Sequence, residues 1–359
     1  MEKIRISISS YTYDILLKDM DSFEILKKSG EVNKNEFLNR LIINYVDEYL
    51  MMSKTQLRTI ERIIGKHTDL DEYDKVNLTN EIFASVKSLM VVKNVDESSV
   101  IISLKPIKES ESIIDFIINE QIDNQSISSF FRQMFDSYVG MTQNLRERII
   151  FKDVYNTLIK SLDLNKKVFV TFRSETGKPI TGSLYCVKDN KEEMFNYCLF
   201  DANGRPQTVR LCHIKSVKII NEPAHISNKI IPLFDFQIEN SLAYPVGKKD
   251  LEIVKVKLDE IGKKMFKKTY LYRPKVYKKE GDIYYFKASH QQILNYFKRF
   301  GGNAIIISPQ YLKDKMQRYY KESYFMYKDS DTNSWKNKRF IQQIDSILLF
   351  NYLQLTTHN

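Results

Sequence analysis

The first residues of the chain alternate polar and apolar side chains, and this alternation constrains the fold more than any other feature. In the run Lys3-Ile4-Arg5-Ile6-Ser7-Ile8, a β-strand places the isoleucines on one face and the polar side chains on the other. A single strand leaves its backbone N–H and C=O groups unpaired, so it needs a second strand beside it. A two-stranded ribbon fits the major groove of DNA, where its polar face would meet the base edges.

Two helices are expected directly after this strand. Ser9 or Ser10 is placed to cap the first, and Asn33 with Glu36 three residues later has the spacing of a capping box that opens the second. Lys34 then lies at a helix N-terminus, where backbone N–H groups and the helix dipole favour a phosphate.

This segment resembles a ribbon-helix-helix nucleic-acid-binding domain over roughly residues 2–50. The basic alternating strand and the capped second helix, which begins Val32-Asn33-Lys34-Asn35-Glu36-Phe37-Leu38, carry the resemblance. The first helix and its loop are longer than in the family pattern. The resemblance implies that nucleic acid is contacted by Lys3, Arg5, Ser7 and Lys34. The alternative is that an amphipathic strand and two helices form part of an ordinary α+β core.

The same pattern returns about a hundred residues later. Residues 37–46 align without a gap with residues 130–139, and Ser126 occupies the position of Asn33 as a helix cap. The run 100–105 alternates like the first strand. These similarities indicate a duplicated unit, and we predict that its two strands pair antiparallel within one chain.

The second strand is a poorer candidate for reading nucleic acid, because Ile101 stands where Arg5 stands in the first. We therefore expect one half of the ribbon to read and the other half mainly to support it. The alternative is a coincidence between amphipathic helices, which share Phe/Leu spacing easily.

Length and composition limit the class of protein. A chain of 359 residues suggests two to four domains, and its apolar and charged fractions are ordinary for a soluble globular protein. No run approaches the ~18 apolar residues of a membrane span, so no membrane partner is expected. Three cysteines without metal spacing are expected to be reduced thiols of a cytoplasmic protein; they are Cys186, Cys198 and Cys212.

Residue patterns typical of active sites do not occur in the sequence. The five histidines lack metal-ligand spacing, no glycine-rich loop ends in Gly-Lys-Ser/Thr, and Gly301-Gly302 has the pattern of a helix stop. No nucleophile elbow or Cys/His pairing occurs. We therefore expect a non-enzymatic protein with no cofactor and no metal. The alternative is an active site assembled from scattered acids, as in some nucleases.

The basic residues are concentrated near the C-terminus. The net charge is +10, but residues 253–328 alone contain 18 Lys/Arg and 6 Asp/Glu, and residues 1–252 sum to −2. Clustered cations favour polyanions through counterion release, and the interleaved Tyr and Phe residues can stack unpaired bases. The alternative is a lysine-covered solvent face over an aromatic core.

Residues 166–222 contain short strands separated by turns, which predicts a small, strongly bent β-sheet or partial barrel. The runs 170–173 and 209–217, with the strand around Tyr197, resemble a WYL domain, an SH3-like β-barrel of bacterial regulators. Only the tyrosine of the Trp-Tyr-Leu triplet is kept. Of the two arginines usual on the last strand, Arg210 remains and His213 replaces the other.

The WYL resemblance implies a pocket for a nucleotide or a nucleic-acid end. Guanidinium, imidazole and phenol groups suit a phosphate flanked by a stacking surface. The residues implied are Arg173, Tyr197, Arg210 and His213. The alternative places Tyr197 in the core and leaves Arg210 as an exposed strand residue.

The basic segment 253–328 has the element order β-α-β-β-α-β of a split ferredoxin-like fold. Its runs 294–301 and 307–312 resemble the C-terminal extension that accompanies WYL domains and commonly contributes to dimerisation in that family. The resemblance therefore implies a homodimer. A tail helix within 329–359 is expected to dock on another chain.

The predicted fold class is α+β and multidomain. It joins a duplicated ribbon-helix-helix, an SH3-like β-barrel and a ferredoxin-like C-terminal domain. The expected divisions are a ribbon-helix-helix at 1–50, a helical spacer at 51–97, a second such unit at 98–150, a linker helix at 151–165, the barrel at 166–222, a connector at 223–252, the extension at 253–328 and the tail helix at 329–359.

This order of domains resembles the WYL accessory proteins encoded beside some type VI CRISPR effectors, with local agreement at residues 14–19 and 145–151. That resemblance implies single-stranded-RNA binding and stimulation of an RNA-targeting nuclease. Many other WYL proteins are DNA-binding transcriptional regulators.

The sequence predicts a nucleic-acid-binding regulator. Its barrel would sense a nucleotide or a single strand, and its ribbon-helix-helix would control transcription on duplex DNA. The first alternative is a single-stranded-RNA-binding accessory protein with a type VI CRISPR effector nuclease as partner. The second is an oligomerisation scaffold, which leaves the basic aromatic segment unexplained.

Overall fold

The computed structural model describes most of the chain, in the ranges 2–90, 98–121, 126–174 and 176–329. Within these ranges eleven α-helices combine with three small antiparallel sheets, so the expected α+β class is confirmed at that level. The chain forms two compact units, and the first consists of residues 1–156 with 211–213. None of the helices in the described ranges is both long enough and apolar enough to cross a membrane.

The first unit contains a two-stranded ribbon and the helices around it. Its elements are β1 (Ile4–Ser9), α1 (Ser10–Ser22), α2 (Lys34–His67), α3 (Glu72–Met90), β2 (Ser99–Leu104), α4 (Lys108–Glu120), α5 (Ile127–Val139) and α6 (Gln143–Ile150). The next helix, α7 (Lys152–Asp163), begins in this unit and ends in the second. The expected division at residue 50 falls inside α2, because no Gly or Pro interrupts the helix before Gly65.

The strands β1 and β2 pair antiparallel within the single chain, as the duplicated pattern predicts. At the centre of the ladder Ile6 lies opposite Ile102, and both side chains are buried. One step from this centre Arg5 lies opposite Ser103, and Ile101 occupies the corresponding place on the other side. A twofold rotation about the centre therefore carries Arg5 onto Ile101, in agreement with the sequence alignment of the two strands.

Side chains of α5 cover the outer edge of β1. The Ser7 N–H donates to Ser128 Oγ at 3.2 Å, and Arg132 Nε donates to the Ser7 carbonyl oxygen at 2.7 Å. Ser128 and Arg132 are four residues apart and so lie on one face of the helix. The ribbon edge at Ser7 is therefore satisfied from within the chain instead of being open to another strand.

Side chains of α2 make equivalent contacts at the end of β2. Asn35 Oδ1 accepts the Lys105 N–H at 2.8 Å, and Asn39 Nδ2 donates to the Lys105 carbonyl oxygen at 3.1 Å. The buried Asn39 also accepts from the Ile107 N–H and the Ser110 hydroxyl at the start of α4. The two asparagines occupy in α2 the aligned positions of the two clamping residues in α5.

The aligned helices α2 and α5 bury their matching apolar residues. The buried set is Phe37, Leu38, Leu41, Ile42, Tyr45 and Val46 in α2, and Phe130, Phe131, Met134, Phe135, Tyr138 and Val139 in α5. The rings of Tyr45 and Tyr138 meet edge to face with centroids 6.1 Å apart. The predicted N-caps are confirmed, because their side chains accept a backbone N–H of the first turn; they are Ser9, Asn33 and Ser126.

A buried ion pair joins α1 to α5 and α6. Arg146 donates from Nε and Nη2 to the two carboxylate oxygens of Asp19 at 2.6 and 2.8 Å, and the Tyr138 hydroxyl donates to the same carboxylate at 3.0 Å. Burial alone would lower the pKa of Arg146, but the hydrogen bonds and charge of Asp19 raise it overall. The guanidinium therefore stays charged, and the pair links α1 to α6 within the first unit.

Breaking this ion pair should destabilise the first unit strongly. Removing one partner leaves the other charge buried and uncompensated, which costs about 3–5 kcal/mol. We expect Arg146→Leu to lower the free energy of unfolding, measured by chemical denaturation, by about this amount. The control is Lys27→Ala, which breaks the exposed pair with Glu31 and should cost less than about 1 kcal/mol. Equal losses in both variants would contradict a structural role for the buried pair.

The second unit begins with a five-stranded antiparallel sheet. Its strands are β3 (Lys166–Phe172), β4 (Ile180–Asp189), β5 (Asn196–Asp201), β6 (Pro206–Arg210) and β7 (Ile214–Pro223), in the order β6-β5-β4-β3-β7. Four consecutive strands form a meander, and β7 returns beside β3. Register shifts in the β3–β7 and β4–β5 ladders bend the sheet. Gly182 is required by a close approach, because a Cβ there would lie 2.5 Å from the carbonyl oxygen of Asp201.

The expected connector at 223–252 contains a helix that the sequence analysis did not predict. This helix, α8 (Ile231–Asn240), packs on the sheet, where Phe234 stacks on Tyr185 with ring centroids 5.0 Å apart. Pro232 lies in its first turn, a position that suits proline although proline is usually taken as a sign of a loop.

The second sheet of this unit lies in the basic segment. Its elements are β8 (Val254–Leu258), α9 (Glu260–Lys268), β9 (Val276–Glu280), β10 (Ile283–Phe286), α10 (His290–Phe297), β11 (Ala304–Ser308) and α11 (Gln310–Asp329). The predicted order β-α-β-β-α-β is confirmed, and the strands lie in the order β11-β8-β10-β9. The helix α10 ends at Phe297, and Gly301 beyond it has a φ of +55° with a ψ of −133°, which is not the αL conformation expected of a helix stop. The predicted tail helix beyond residue 329 lies outside the described residues.

Candidate nucleic-acid interface

The N-terminal and C-terminal parts of the chain differ in net charge. Residues 1–156 contain 20 Lys/Arg and 25 Asp/Glu, whereas residues 253–328 contain 18 and 6. A polyanion gains most where cations cluster, because each neutralised phosphate releases counterions. The segment 253–328 is therefore the more favourable electrostatic surface.

The residues predicted to read nucleic acid on the ribbon share one face. Lys3 and Arg5 are exposed, Ser7 is half-buried, and Ile101 across the ladder is 66% exposed. The ribbon thus presents an arginine and an isoleucine at positions related by the twofold rotation. This face offers few cations to phosphates, although a two-stranded ribbon is narrow enough to enter a major groove and reach the base edges.

Lys34 is the first residue of α2, as predicted. Its Nζ donates to the Tyr13 hydroxyl at 2.5 Å and lies 5.0 Å from the centre of that ring. Asn33 already accepts the N–H of Glu36 in the first turn, so that donor is not open to a phosphate. The exposed ammonium of Lys34 is the group at this helix end that an anion can reach.

Two of the four residues implied for the barrel pocket are neighbours. Tyr197 in β5 lies opposite Arg210 in β6. The Arg210 guanidinium carbon lies 3.6 Å from the centre of the Phe195 ring, which is a cation–π contact. Tyr197 is buried in a hydrophobic core cluster with Leu199 and Phe234, as the alternative expected, whereas Arg210 is half-buried and not exposed.

The other two residues have different surroundings. Arg173 is half-buried just beyond the end of β3. His213 belongs to the first compact unit, where its Nε2 lies 3.1 Å from Glu24 Oε1. The strand β6 ends at Arg210, and the 3₁₀ turn Leu211–His213 follows it. Because His213 lies outside the strand, the strand's alternation could not predict its contact with Glu24.

The Tyr197 hydroxyl donates a hydrogen bond to a carboxylate that the sequence patterns did not predict. Glu193 accepts a hydrogen bond from Tyr197 and another from the Tyr272 hydroxyl at 2.7 Å. Burial, and then this carboxylate, raise the pKa of Tyr197 above its usual range, so the phenol remains a donor. The negative charge of Glu193 disfavours a phosphate beside Tyr197. The sequence signal was the acidic pair Glu192-Glu193 directly before the strand.

Tyr272 is held in an uncommon backbone conformation by the same acidic pair. Its φ is +59°, which costs roughly 1–3 kcal/mol in a residue other than glycine. Glu192 accepts the Tyr272 N–H at 2.8 Å, and Gln292 Nε2 donates to the Tyr272 carbonyl oxygen at 3.2 Å. We call Glu192, Glu193 and Tyr272 the acidic clamp. It fastens the turn before β5 to the segment that leads into β9.

Removing the clamp carboxylate should loosen this segment. Glu193→Ala removes two hydrogen bonds to a charged acceptor, and such bonds contribute about 1.5–3 kcal/mol each. We expect amide hydrogen exchange at residues 270–273 to become at least about tenfold faster. Glu222→Ala, which breaks the Lys167–Glu222 ion pair between β3 and β7, is the matched control and should leave exchange at residues 270–273 unchanged. Unchanged exchange in Glu193→Ala would show that the clamp does not hold the segment.

Cations lie on aromatic rings throughout the segment 253–328. Three such pairs, with the distance from the cation to the ring centre, are Lys287–Tyr277 (4.1 Å), Lys298–Tyr319 (4.4 Å) and Arg273–Tyr270 (5.1 Å). All three rings are exposed. The interleaving seen in the sequence therefore persists in three dimensions, at sites that an unpaired base can reach.

The fold is similar to that of a solved structure described as the crystal structure of a CRISPR Cas-related protein. The two chains are 19% identical, with a TM-score of 0.59, and the match covers 92% of this chain and 95% of the other. Proteasome accessory factor B/C (PafBC) of Arthrobacter aurescens also matches, at 8% identity over 87% of this chain and 54% of its own, but a TM-score of 0.25 supports no argument. No family model and no curated protein matches the chain.

Proposed function

We propose that this protein is a non-enzymatic, nucleic-acid-binding accessory protein of a CRISPR system, and that single-stranded RNA is its ligand. The proposal is carried by the concentration of exposed lysines and aromatic rings in residues 253–328, on a chain whose first 156 residues are net negative. Exposed rings favour unpaired bases, because a duplex keeps its bases in the stack. The similar fold of a CRISPR Cas-related protein supports the choice of system.

The domain types within this proposal follow the sequence resemblances. The order β11-β8-β10-β9 supports a ferredoxin-like extension, and the meander with a returning strand supports an SH3-like WYL barrel. The ribbon with its capped helices supports a duplicated ribbon-helix-helix. In this proposal the protein acts in the cytoplasm as a homodimer beside an RNA-targeting CRISPR nuclease.

A transcriptional regulator that reads duplex DNA through the ribbon is the second candidate. The exposed face that carries Lys3 and Arg5 favours it, because an antiparallel ribbon fits the major groove. Because Ile101 occupies the twofold-related position, only one half of the ribbon has an arginine that could contact bases. A pure oligomerisation scaffold accounts for neither the cationic ribbon face nor the basic aromatic segment.

Fluorescence anisotropy with a labelled single-stranded RNA and with duplex DNA of the same sequence tests the proposal. We expect tighter binding to the RNA. The logarithm of the association constant should fall linearly with the logarithm of salt concentration, by about 0.7 for each phosphate contact. Binding to neither nucleic acid at low salt would refute the proposal. Tighter, sequence-dependent binding to the duplex would favour the second candidate.

The variant Arg5→Ala separates the two candidates. If RNA binds elsewhere, the RNA affinity of this variant should stay within about twofold of wild type, as in the surface control Lys27→Ala. If the ribbon reads DNA, the variant should lose about 1–3 kcal/mol of discrimination at one base position. A large loss of RNA affinity in Arg5→Ala alone would place RNA binding on the ribbon and contradict its assignment to residues 253–328.

A further inference from the structure

The sheet formed by β8–β11 has one covered face and one exposed face. Its inward residues, among them Val254, Val256 and Phe286, are buried in a core shared with α9, α10 and α11. The side chains that alternate with them point to the opposite face, where, among the described residues, Lys255, Lys257 and Lys278 are exposed and Tyr285 is half-buried. We call this surface the open sheet face and define it by Lys255, Lys257, Lys278, Glu280, Tyr285 and Ile305.

A tyrosine lies between two lysines on the open sheet face. Tyr285 in β10 is directly opposite Lys255 in β8 and Lys278 in β9, so the three side chains form one row across the sheet. The two ammonium groups lie 5.4 and 5.8 Å from the ring centre. Glu280 accepts from the Tyr285 hydroxyl at 2.5 Å, which holds the ring and raises the pKa of the phenol. The ring is therefore positioned in advance, with a cation on each side.

The neighbouring row adds a cation and apolar surface. Lys257 is exposed and lies between Ile305 of β11 and Ile283 of β10. Ile305 is 53% exposed. Lys278 forms an ion pair with Glu280, with its Nζ 2.5 Å from Glu280 Oε1, so the net positive charge of this face comes from Lys255 and Lys257. Cations beside flat apolar groups match a ligand that has a negative backbone and unpaired bases.

We propose that the open sheet face binds single-stranded RNA, with one base stacked on Tyr285 and the neighbouring phosphates held by Lys255 and Lys257. The inference rests on the proposed function and gives it a site. Four-stranded sheets in RNA-recognition domains bind unpaired bases in this manner, by stacking them on aromatic side chains of the open face.

A second copy of this chain is the less favourable occupant of the open sheet face. Most homodimers are twofold symmetric, so the same patch of both copies meets at the interface. Such a contact would bring Lys255 and Lys257 of one copy against those of the other, and like charges repel at short range. A polyanion meets the same lysines with attraction.

Anisotropy titrations of the full chain with a labelled single-stranded RNA test the site. Tyr285→Ala should weaken binding about 5- to 150-fold, the range for loss of one stacked base. Tyr285→Phe keeps the ring and removes only the bond to Glu280, so its affinity should stay within about twofold of wild type. The double variant Lys255→Gln with Lys257→Gln should make the salt dependence shallower by about 1.4, because each single-strand phosphate contact contributes about 0.7.

Matched controls lie in the first unit, outside the basic segment. Tyr73→Ala removes a ring of α3 that is 75% exposed. The double variant Lys54→Gln with Lys66→Gln removes two exposed charges from α2. Both controls should leave RNA affinity within about twofold of wild type and the salt slope unchanged.

The outcomes separate this site from the proposed function. Wild-type affinity and salt slope in the open-face variants would overturn the site and leave the proposed function in place. A wild-type chain that binds no nucleic acid would overturn both. Open-face variants that change from dimer to monomer in light scattering, with RNA affinity intact, would assign the face to a second copy and overturn the site.

Photocrosslinking tests the same contact without any substitution. RNA crosslinked to the wild-type chain should form adducts that mass spectrometry maps to the peptide containing residues 283–286. Adducts confined to the other sheet or to the ribbon would overturn the site even if an open-face variant failed to fold.

Discussion

The pairing of β1 with β2 is the constraint on which the N-terminal unit depends. Two strands that begin at Ile4 and at Ser99 pair with each other, and side chains of α5 and α2 satisfy backbone groups along the ribbon's outer edges. An isolated strand is not stable in water, so each half of the unit needs the other. The ion pair of Asp19 with Arg146 adds a second link, from α1 to α6. The unit is therefore built as one body from two similar halves.

The two halves of the ribbon have different chemistry, and charge is distributed unevenly along the whole chain. An isoleucine occupies the twofold-related position of Arg5, and the segment that contains both copies is net negative. The C-terminal segment 253–328 carries the cationic excess, and its open sheet face places Tyr285 between lysines of two neighbouring strands. The acidic clamp holds Tyr272 in the segment that leads into β9, the strand that contains Lys278. In our proposal the N-terminal unit is mainly a scaffold and the C-terminal sheet meets the ligand.

Periodicity and capping signals predicted most of the elements, whereas one helix and some contacts across turns and between strands were not predicted. The alternation in the two strands and the alignment of 37–46 with 130–139 predicted the ribbon and its matching helices, because both are local patterns. The helix α8 was missed because Pro232 in its first turn resembles a loop signal. The hydrogen-bond acceptor of Tyr197 was missed because Glu193 lies in the turn before β5, and strand alternation does not predict contacts made by a turn. The row around Tyr285 depends on strand register, which a single sequence does not specify in a sheet of non-adjacent strands.

The most direct measurement is to crosslink nucleic acid to this protein in living cells of its host, purify the adduct and sequence what is attached. We expect RNA segments without stable pairing, attached to peptides of residues 253–328. Duplex DNA enriched in one recurring sequence, or no attached nucleic acid, would contradict the proposal that this chain binds single-stranded RNA.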